Sequence, residues 1–197
     1  MPNEIMIYGP IGMAAGTTAE EVLSELSGDD DVLVRINSAG GSFTDGPAIY
    51  NALRNHGGRV DTVIDGVGYS MASVILQAGK NRSMAENAVI MVHGAQFAAN
   101  GSSSEMRKAA DMMDVHTKAM RSAFVGRGIS ESVVDGWLND GEDHFFTAED
   151  ALAAGLIDEI SSPVDMAAAL THIPRDIPLP QQLAAYRNPP TGATLMP

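Results

Sequence analysis

Short apolar segments alternate with stretches of helical periodicity in the first half of the chain. The apolar segments at residues 5–8, 32–36, 60–64 and 88–92 predict β-strands. Helical patterns lie between them, at about 18–26, 45–55 and 70–77. Thr18 followed by Glu21 is a capping box, which marks the start of the first helix. This alternation predicts an α/β fold built from βαβ-like units.

The middle of the chain carries one long helical pattern. It starts at the capping sequence 102–105 and covers about residues 103–126, with Met106, Met113 and Met120 on one side. A helix of this length exceeds what a crossover within the sheet needs. We therefore expect it to project from the body and to contact another subunit.

The remaining patterns predict one domain and a tail. Shorter helices after Ser130 and Thr147, and a strand at 157–160, complete a single domain over residues 1–162. Residues 163–197 are predicted to form a C-terminal helix and a Pro-rich tail, because prolines recur from Pro174 onward.

Composition narrows the function classes. The 197 residues carry a formal net charge of −13, which would repel a nucleic-acid duplex or an anionic membrane. The absence of cysteine excludes disulfides, zinc–thiolate sites and a cysteine nucleophile. Neither a secretory signal nor an apolar run long enough to cross a membrane is present. We expect a cytoplasmic protein without a metal or cofactor.

Ser70 is the first candidate for chemistry. It follows a predicted strand and opens a predicted helix, in the pattern Gly68-x-Ser70-x-Ala72. That pattern is close to the strand–turn–helix nucleophile elbow, which exposes a serine hydroxyl beside free backbone N–H groups. Taken alone, the motif favours a helix-capping serine over a nucleophile.

Two further features are also ambiguous in isolation. The turn at residues 38–41 ends in Gly40 and Gly41, which either form a tight turn or bring a backbone N–H against a ligand. His93 ends a predicted strand, so it lies at the edge of the sheet, where a structural role is the commoner one. Five acidic residues could orient it, and the chemistry alone does not choose among them: Asp140, Glu142, Asp143, Glu149 and Asp150.

Together these pieces resemble the ClpP family of serine peptidases, particularly the ClpP-like peptidases encoded by phages and prophages. The resemblance covers about residues 5–160 and is strongest in segments 35–42, 68–72, 89–93 and 146–151. Two positions depart from the usual pattern: Ala39 replaces a proline and Ala72 a glycine. Both replacements are small, so we expect the site to tolerate them.

The resemblance implies a role for each site residue. Ser70 matches the nucleophile, His93 the general base and Asp143 the acidic member of a Ser-His-Asp triad. The backbone N–H groups of Gly41 and Met71 match the oxyanion donors. The residues expected to contact substrate are Gly40, Ser42, Phe43, Tyr69 and Gly94.

The resemblance also implies the architecture and the partners. We expect a ClpP/crotonase-type spiral of ββα units, with the long helix as a handle through which copies form a homo-oligomeric ring. The substrate would be a peptide or unfolded protein. Little sequence precedes the first strand, where chambered relatives contact an unfoldase ATPase. We therefore expect an ATP-independent endopeptidase that processes phage head or scaffold proteins.

The sequence also leaves three alternative hypotheses open. The crotonase fold also serves acyl-CoA hydratases and isomerases, which hold an oxyanion with backbone N–H pairs but need carboxylates in place of the Ser–His pair. A Ser–Lys mechanism would use Lys80 in place of His93. A non-catalytic assembly subunit would keep the fold without the reaction.

Overall fold

The computed structural model describes residues 3–12, 16–26 and 28–161. The C-terminal helix and tail expected at 163–197 lie outside the described residues, and the domain limit at 162 stays a prediction. The strands are β1 (Asn3–Tyr8), β2 (Val32–Ser38), β3 (Val60–Tyr69), β4 (Arg82–Ala85), β5 (Val89–Val92), β6 (His144–Phe146) and β7 (Glu159–Ser161). The helices are α1 (Ala19–Glu25), α2 (Asp45–Arg54), α3 (Met71–Leu76), α4 (Ser103–Val125), α5 (Glu131–Asn139) and α6 (Ala148–Ala153).

One sheet of seven strands organises the described part of the chain. The strands β1, β2, β3, β4 and β7 lie side by side in that order, and all of these pairs are parallel. Strand β5 pairs in parallel with β3, and β6 pairs antiparallel with β5. The predicted α/β class, with a largely parallel sheet and helices between the strands, is confirmed.

The sheet divides at β3. The first half of β3 pairs with β4 through Thr62, and its second half pairs with β5 through Gly68 and Tyr69. Against β2 the register shifts, because β2 advances from Ile36 to Ser38 while β3 advances from Ile64 to Gly68. This bulge turns the end of β3 toward β5, so the residue after Tyr69 lies beside the end of β5.

The hydrophobic core lies between the sheet and the helices packed on it. Strand β2 is buried along most of its length, as its continuous apolar run predicts. Helix α2 buries Ile49 and Leu53, which are four residues apart and therefore share one face. Every residue of α3 is buried, so this short helix is held in place by contacts on all sides.

Three elements differ from the sequence prediction. Strand β3 continues to Tyr69 instead of ending at residue 64, because residues 67–69 pair with β5. Strands β4 and β6 were not predicted. Strand β4 contains a buried arginine, and β6 has only three residues, so neither shows a clear strand pattern.

Helix α4 has the predicted length and start. Ser102 caps it, and Glu105 returns a bond to the backbone of Ser102, so the expected capping box is present. Its buried residues, Met120, Ala123 and Phe124, all lie in its last turns. In residues 3–12, 16–26 and 28–161, no helix is both long and apolar enough to span a membrane.

Candidate active site

Ser70 occupies the turn between β3 and α3 in a strained backbone conformation. Its φ is 53° and its ψ is −120°, the only positive φ at a non-glycine position among the described residues. Such a conformation costs about 1–3 kcal/mol and persists only when the surroundings enforce it. Here the Ser70 N–H donates to Met91 O at 2.9 Å, and the Ser73 N–H donates to Ser70 O at 2.9 Å.

The Ser70 hydroxyl does not cap the helix that it precedes. Ser70 is the N-cap residue of α3, yet its side chain makes no capping hydrogen bond. Its Oγ instead lies 2.8 Å from Nε2 of His93. The helix-cap role that the motif favours in isolation is therefore not the one that this serine has.

His93 links Ser70 to Asp143. Its Nδ1 lies 3.0 Å from Oδ1 of Asp143, on the opposite side of the ring from Ser70. In the neutral imidazole this places the proton on Nδ1, where it donates to the carboxylate, and leaves Nε2 to accept from the serine hydroxyl. The His93 and Asp143 side chains are 13% and 21% exposed, so both are largely shielded from water.

Strand pairing explains why these three residues meet. Tyr69 pairs with Met91, which brings the end of β3 beside the end of β5. Val92 pairs with His144 in the antiparallel β5–β6 ladder, so the residues just beyond each strand, His93 and Asp143, face each other. The register thus selects Asp143 from the five acidic candidates in this part of the sequence.

Two backbone N–H groups near Ser70 have no hydrogen-bond partner within the described residues. One belongs to Met71, the first residue of α3, whose N–H is left free by helix geometry. The other belongs to Gly41. The bridge between Gly41 and Ile11 uses the C=O of Gly40 and the N–H of Ser42, which directs the Gly41 N–H to the other side.

The Gly40–Gly41 turn needs both glycines. A Cβ on Gly40 would lie 2.8 Å from the Cβ of Ser70 and 3.0 Å from the nitrogen of Met71. A Cβ on Gly41, whose φ is +151°, would lie 2.2 Å from the carbonyl oxygen of Ile11. The turn therefore packs directly against the serine turn, and no other residue type fits it without displacement.

The residues expected to contact substrate differ in their surroundings. Phe43 lies in a pocket of about 180 Å³ beside Met71, and His116 and Met120 of α4 complete its wall. The rings of Phe43 and His116 stack with their centroids 4.8 Å apart. This pocket adjoins the serine turn through Met71.

Three more of the expected contacts, Ser42, Tyr69 and Gly94, make contacts within the protein. Tyr69 is 8% exposed, and its ring meets that of Phe145 edge-on at 5.9 Å. A Cβ on Gly94 would lie 2.3 Å from the carbonyl oxygen of Leu138, so this glycine permits close packing. The Ser42 hydroxyl bonds to the side chains at the start of α2, including Asp45 at 3.0 Å.

Lys80 lies far from this site. Its N–H donates to the carbonyl oxygen of Val60 at 2.7 Å, and Val60 is the first residue of β3, whereas Ser70 follows the last. The structure therefore does not bring Lys80 and Ser70 together, as a Ser–Lys mechanism would require.

A buried polar network supports the β3 bulge beneath Ser70. Arg35 donates from Nε to Oδ2 of Asp65 at 3.0 Å and from Nη2 to Oδ1, and the Tyr8 hydroxyl donates to the same carboxylate at 2.6 Å. Burial, followed by the bond to Asp65, raises the pKa of Tyr8 well above its usual value. Asn37 Oδ1 accepts the Val67 N–H at 3.1 Å.

The supporting roles of these residues were not predicted from the sequence. The signal was available, because Arg35 interrupts an otherwise apolar buried strand and a buried arginine needs a carboxylate partner.

No group of His, Cys, Asp or Glu in the part of the chain that the structure describes is arranged to hold a metal ion.

The fold and this arrangement define an α/β protein whose site has the parts of an acyl-transfer hydrolase. Comparison with known families adds one finding: the model of the family described as Clp protease matches residues 2–164. That match spans most of the 197 residues. The chain belongs to the Clp protease family, which is a family of peptidases.

Proposed function

We propose that this protein is a serine endopeptidase that hydrolyses peptide bonds through an acyl-enzyme. The observation that carries the proposal is the continuous chain of contacts from Ser70 Oγ to His93 Nε2 at 2.8 Å and from His93 Nδ1 to Asp143 at 3.0 Å. A serine hydroxyl becomes nucleophilic when a base accepts its proton and a third group orients that base. Here each role has a residue at hydrogen-bonding distance.

The first half of the reaction forms the acyl-enzyme. Ser70 Oγ attacks the carbonyl carbon of the scissile bond while His93 Nε2 takes its proton. Asp143 holds the imidazole in orientation and stabilises its positive form. The unpaired N–H groups of Gly41 and Met71 donate to the oxyanion. When the tetrahedral intermediate collapses, the C–N bond breaks and His93 gives its proton to the leaving amine.

Water completes the reaction by the same route. His93 removes a proton from water, the resulting oxygen attacks the ester carbonyl, and the same two N–H groups hold the oxyanion. The proton then returns to Ser70 Oγ as the acid product leaves. The strained Ser70 backbone supports this cycle, because it keeps the hydroxyl directed at His93 instead of at the helix.

The pocket beside Met71 supports an extended peptide with an apolar side chain as substrate. Phe43, Met71 and Met120 provide an apolar lining, and the pocket lies next to the oxyanion donors. The outward-facing backbone of Gly41 permits a peptide to pair as an added strand. We propose that the side chain preceding the cleaved bond enters this pocket.

We also propose that copies of the chain assemble through α4. The projecting part of this helix exposes apolar side chains, among them Met112 at 50% and Val115 at 63% exposure. Contact with another copy would remove this apolar surface from water. Native mass spectrometry tests the proposal, since Val115→Glu should shift a multimer toward the monomer, and an unchanged mass would contradict it.

ATP independence and the processing of phage head or scaffold proteins stay predictions. The processing of phage head or scaffold proteins rests on the resemblance to phage-encoded relatives. Cleavage of a folded scaffold protein by the purified chain without nucleotide would support them.

A fluorophosphonate probe tests the proposed chemistry directly. The probe reacts with an activated serine, so peptide mapping should find it on Ser70 in the full chain. Ser70→Ala and His93→Ala should lose the label, while Ser130→Ala, a serine whose side chain caps nothing, should keep it. The labelled wild type should also have lost casein cleavage. A folded wild type that neither takes the label nor cleaves peptides would overturn the proposal.

A further inference from the structure

A second pocket lies at the amino end of β3 and is lined by cations. Its volume is about 360 Å³, and its charged and titratable lining residues are Arg54, His56, Arg59, Lys80 and Arg127. We call these five residues and the backbone of Gly57 and Gly58 the basic pocket. Among the residues that the structure describes, no acidic residue lines it. The concentration is unusual in a chain of net charge −13 with only 12 lysines and arginines.

Much of the charge in the basic pocket is uncompensated. Arg59 is paired with Asp61, since its Nε lies 2.9 Å from the carboxylate. Within the described residues, the side chains of Arg54 and Lys80 have neither a hydrogen bond nor a carboxylate partner. His56 Nε2 is hydrogen-bonded to the carbonyl oxygen of Asp30 at 2.8 Å.

Arg127 shows the effect of this excess. Its Nη2 bonds to Lys80 O at 3.2 Å and lies 3.5 Å from Asp158. That carboxylate already faces Arg82 at 2.6 Å, so it is shared. The Arg127 Nε is buried without a partner within the described residues. Burial, and then repulsion by Arg82 and Arg54, lowers the pKa of Arg127.

The helix C-termini at the edge of the pocket compensate only part of its positive charge. Arg54 is the last residue of α2, and Ala78 and Lys80 follow the end of α3, so two helix C-termini border the pocket. Each such end carries roughly half a negative elementary charge. Together they offset about one of the four permanent cations. Asp61 pairs with Arg59 of the pocket itself, and Asp158 is shared between Arg82 and Arg127, so the remaining positive charge of the pocket comes from Arg54 and Lys80.

We propose that the basic pocket binds a phosphate-bearing ligand. A phosphate group has nearly two negative charges and three acceptor oxygens, which suits donors that converge from several elements. The backbone of Gly57 and Gly58 also lines the pocket, and the N–H groups of these two glycines have no partner within the described residues. The volume exceeds that of one phosphate, so a polyphosphate or a phosphorylated small molecule fits the same chemistry.

The basic pocket is separate from the site around Ser70. Lys80 bonds to the first residue of β3, and Ser70 follows the last residue of that strand. A bound phosphate would therefore not contact His93. The inference does not depend on the proposed peptidase activity.

Isothermal titration calorimetry with the full chain tests this inference. Inorganic phosphate, tripolyphosphate and ATP would be titrated without metal, and citrate would serve as a carboxylate control of similar charge. We expect saturable binding of at least one phosphate species, with tripolyphosphate or ATP tighter than phosphate. Tighter tripolyphosphate would identify a polyphosphate, and tighter ATP would identify a phosphorylated small molecule.

Variants locate the binding. Arg54→Gln and Lys80→Gln remove exposed cations that hold no structural contact, and each should weaken binding roughly tenfold. Lys108→Gln and Lys118→Gln remove the same charge from exposed positions on α4 and should bind as the wild type does. Three results would overturn the inference: no saturable binding of any phosphate species, equal binding of citrate, or equal weakening in the α4 variants.

Discussion

The two ends of β3 use polar side chains in opposite ways. At the carboxyl end, Ser70, His93 and Asp143 form a continuous hydrogen-bonded chain, and Asp65 beneath them is held by Arg35 and Tyr8. At the amino end, the basic pocket gathers cations, two of which have no partner within the described residues. At the carboxyl end the polar side chains are hydrogen-bonded to one another, whereas at the amino end part of the positive charge has no partner within the described residues.

This difference follows from what each end would have to do. A proton transfer needs fixed distances, so its groups must be held before substrate arrives, and the strained Ser70 backbone is one consequence. Capture of an anion needs unpaired donors, because every internal ion pair would compete with the ligand. Strand β3 thus has a preorganised hydrogen-bonded site at one end and a pocket with uncompensated positive charge at the other.

The largest effect expected at the carboxyl end is the loss of the base. His93→Ala should lower the rate of peptide cleavage by about 10⁴-fold, because within the described residues no other side chain is hydrogen-bonded to Ser70 Oγ. Cleavage of a fluorogenic peptide measures it. His144→Ala is the matched control, since His144 bonds to Asp140 and not to Ser70. Equal rates in the two variants would show that His93 has no special role.

The next effect compares one Arg–Asp pair toward each end of β3. The Arg35 and Asp65 side chains are 7% and 2% exposed, whereas Asp158, the partner of Arg82, is 36% exposed. Asp65→Asn should lower the free energy of unfolding by about 3–5 kcal/mol, because it leaves a buried cation unpaired.

Asp158→Asn should cost less, about 1–3 kcal/mol. Arg82 keeps Gln77 and the carbonyl oxygen of Gly155 as acceptors, and water reaches the site. Urea unfolding of both variants compares the costs. An Asp158 variant less stable than the Asp65 variant would contradict the difference drawn between the two ends.

A smaller effect separates binding from chemistry at the carboxyl end. Phe43→Ala should raise KM for a peptide with a large apolar side chain by roughly tenfold, because it removes one wall of the pocket. Labelling of Ser70 by a small fluorophosphonate should not change, since the Ser70–His93 contact is intact. Unchanged peptide preference would remove Phe43 from the proposed pocket.

The smallest expected effect is on folding stability at low pH. Hydrogen bonds from Arg82 hold the pKa of Asp158 below its usual value. A lowered pKa adds stability that is present above the unfolded value of about 4 and is lost as pH falls through the folded value. Wild-type stability should therefore drop in this acidic range. The Asp158→Asn variant should show a shallower drop, and an identical pH profile would contradict this assignment.

Local patterns predicted much of the architecture. The apolar runs predicted strands β1, β2 and β5 and the first half of β3, and the capping sequences at Thr18 and Ser102 marked the starts of α1 and α4. These features depend on neighbours a few residues apart, so they can be read locally. Strand β4 could not be predicted from its neighbours in sequence, because its buried Arg82 is hydrogen-bonded to Asp158, a residue 76 positions away.

The candidate site divides in the same way. The sequence shows a pair of glycines after a strand, a serine at the start of a helix and a histidine at the end of a strand. The order of these features suggested the family. Which acid faces His93 is not such a feature. It depends on the β5–β6 register, which sets Val92 against His144 and therefore His93 against Asp143.

The sequence by itself therefore determined the α/β class, the Clp protease resemblance and the residue types available for catalysis. Tertiary structure decided which of them meet. The β3 bulge, the positive φ of Ser70 and the gathering of Arg54, Lys80 and Arg127 into one pocket all depend on contacts between distant segments. Such contacts arise from packing and register across the sheet, and no local pattern of residues specifies them.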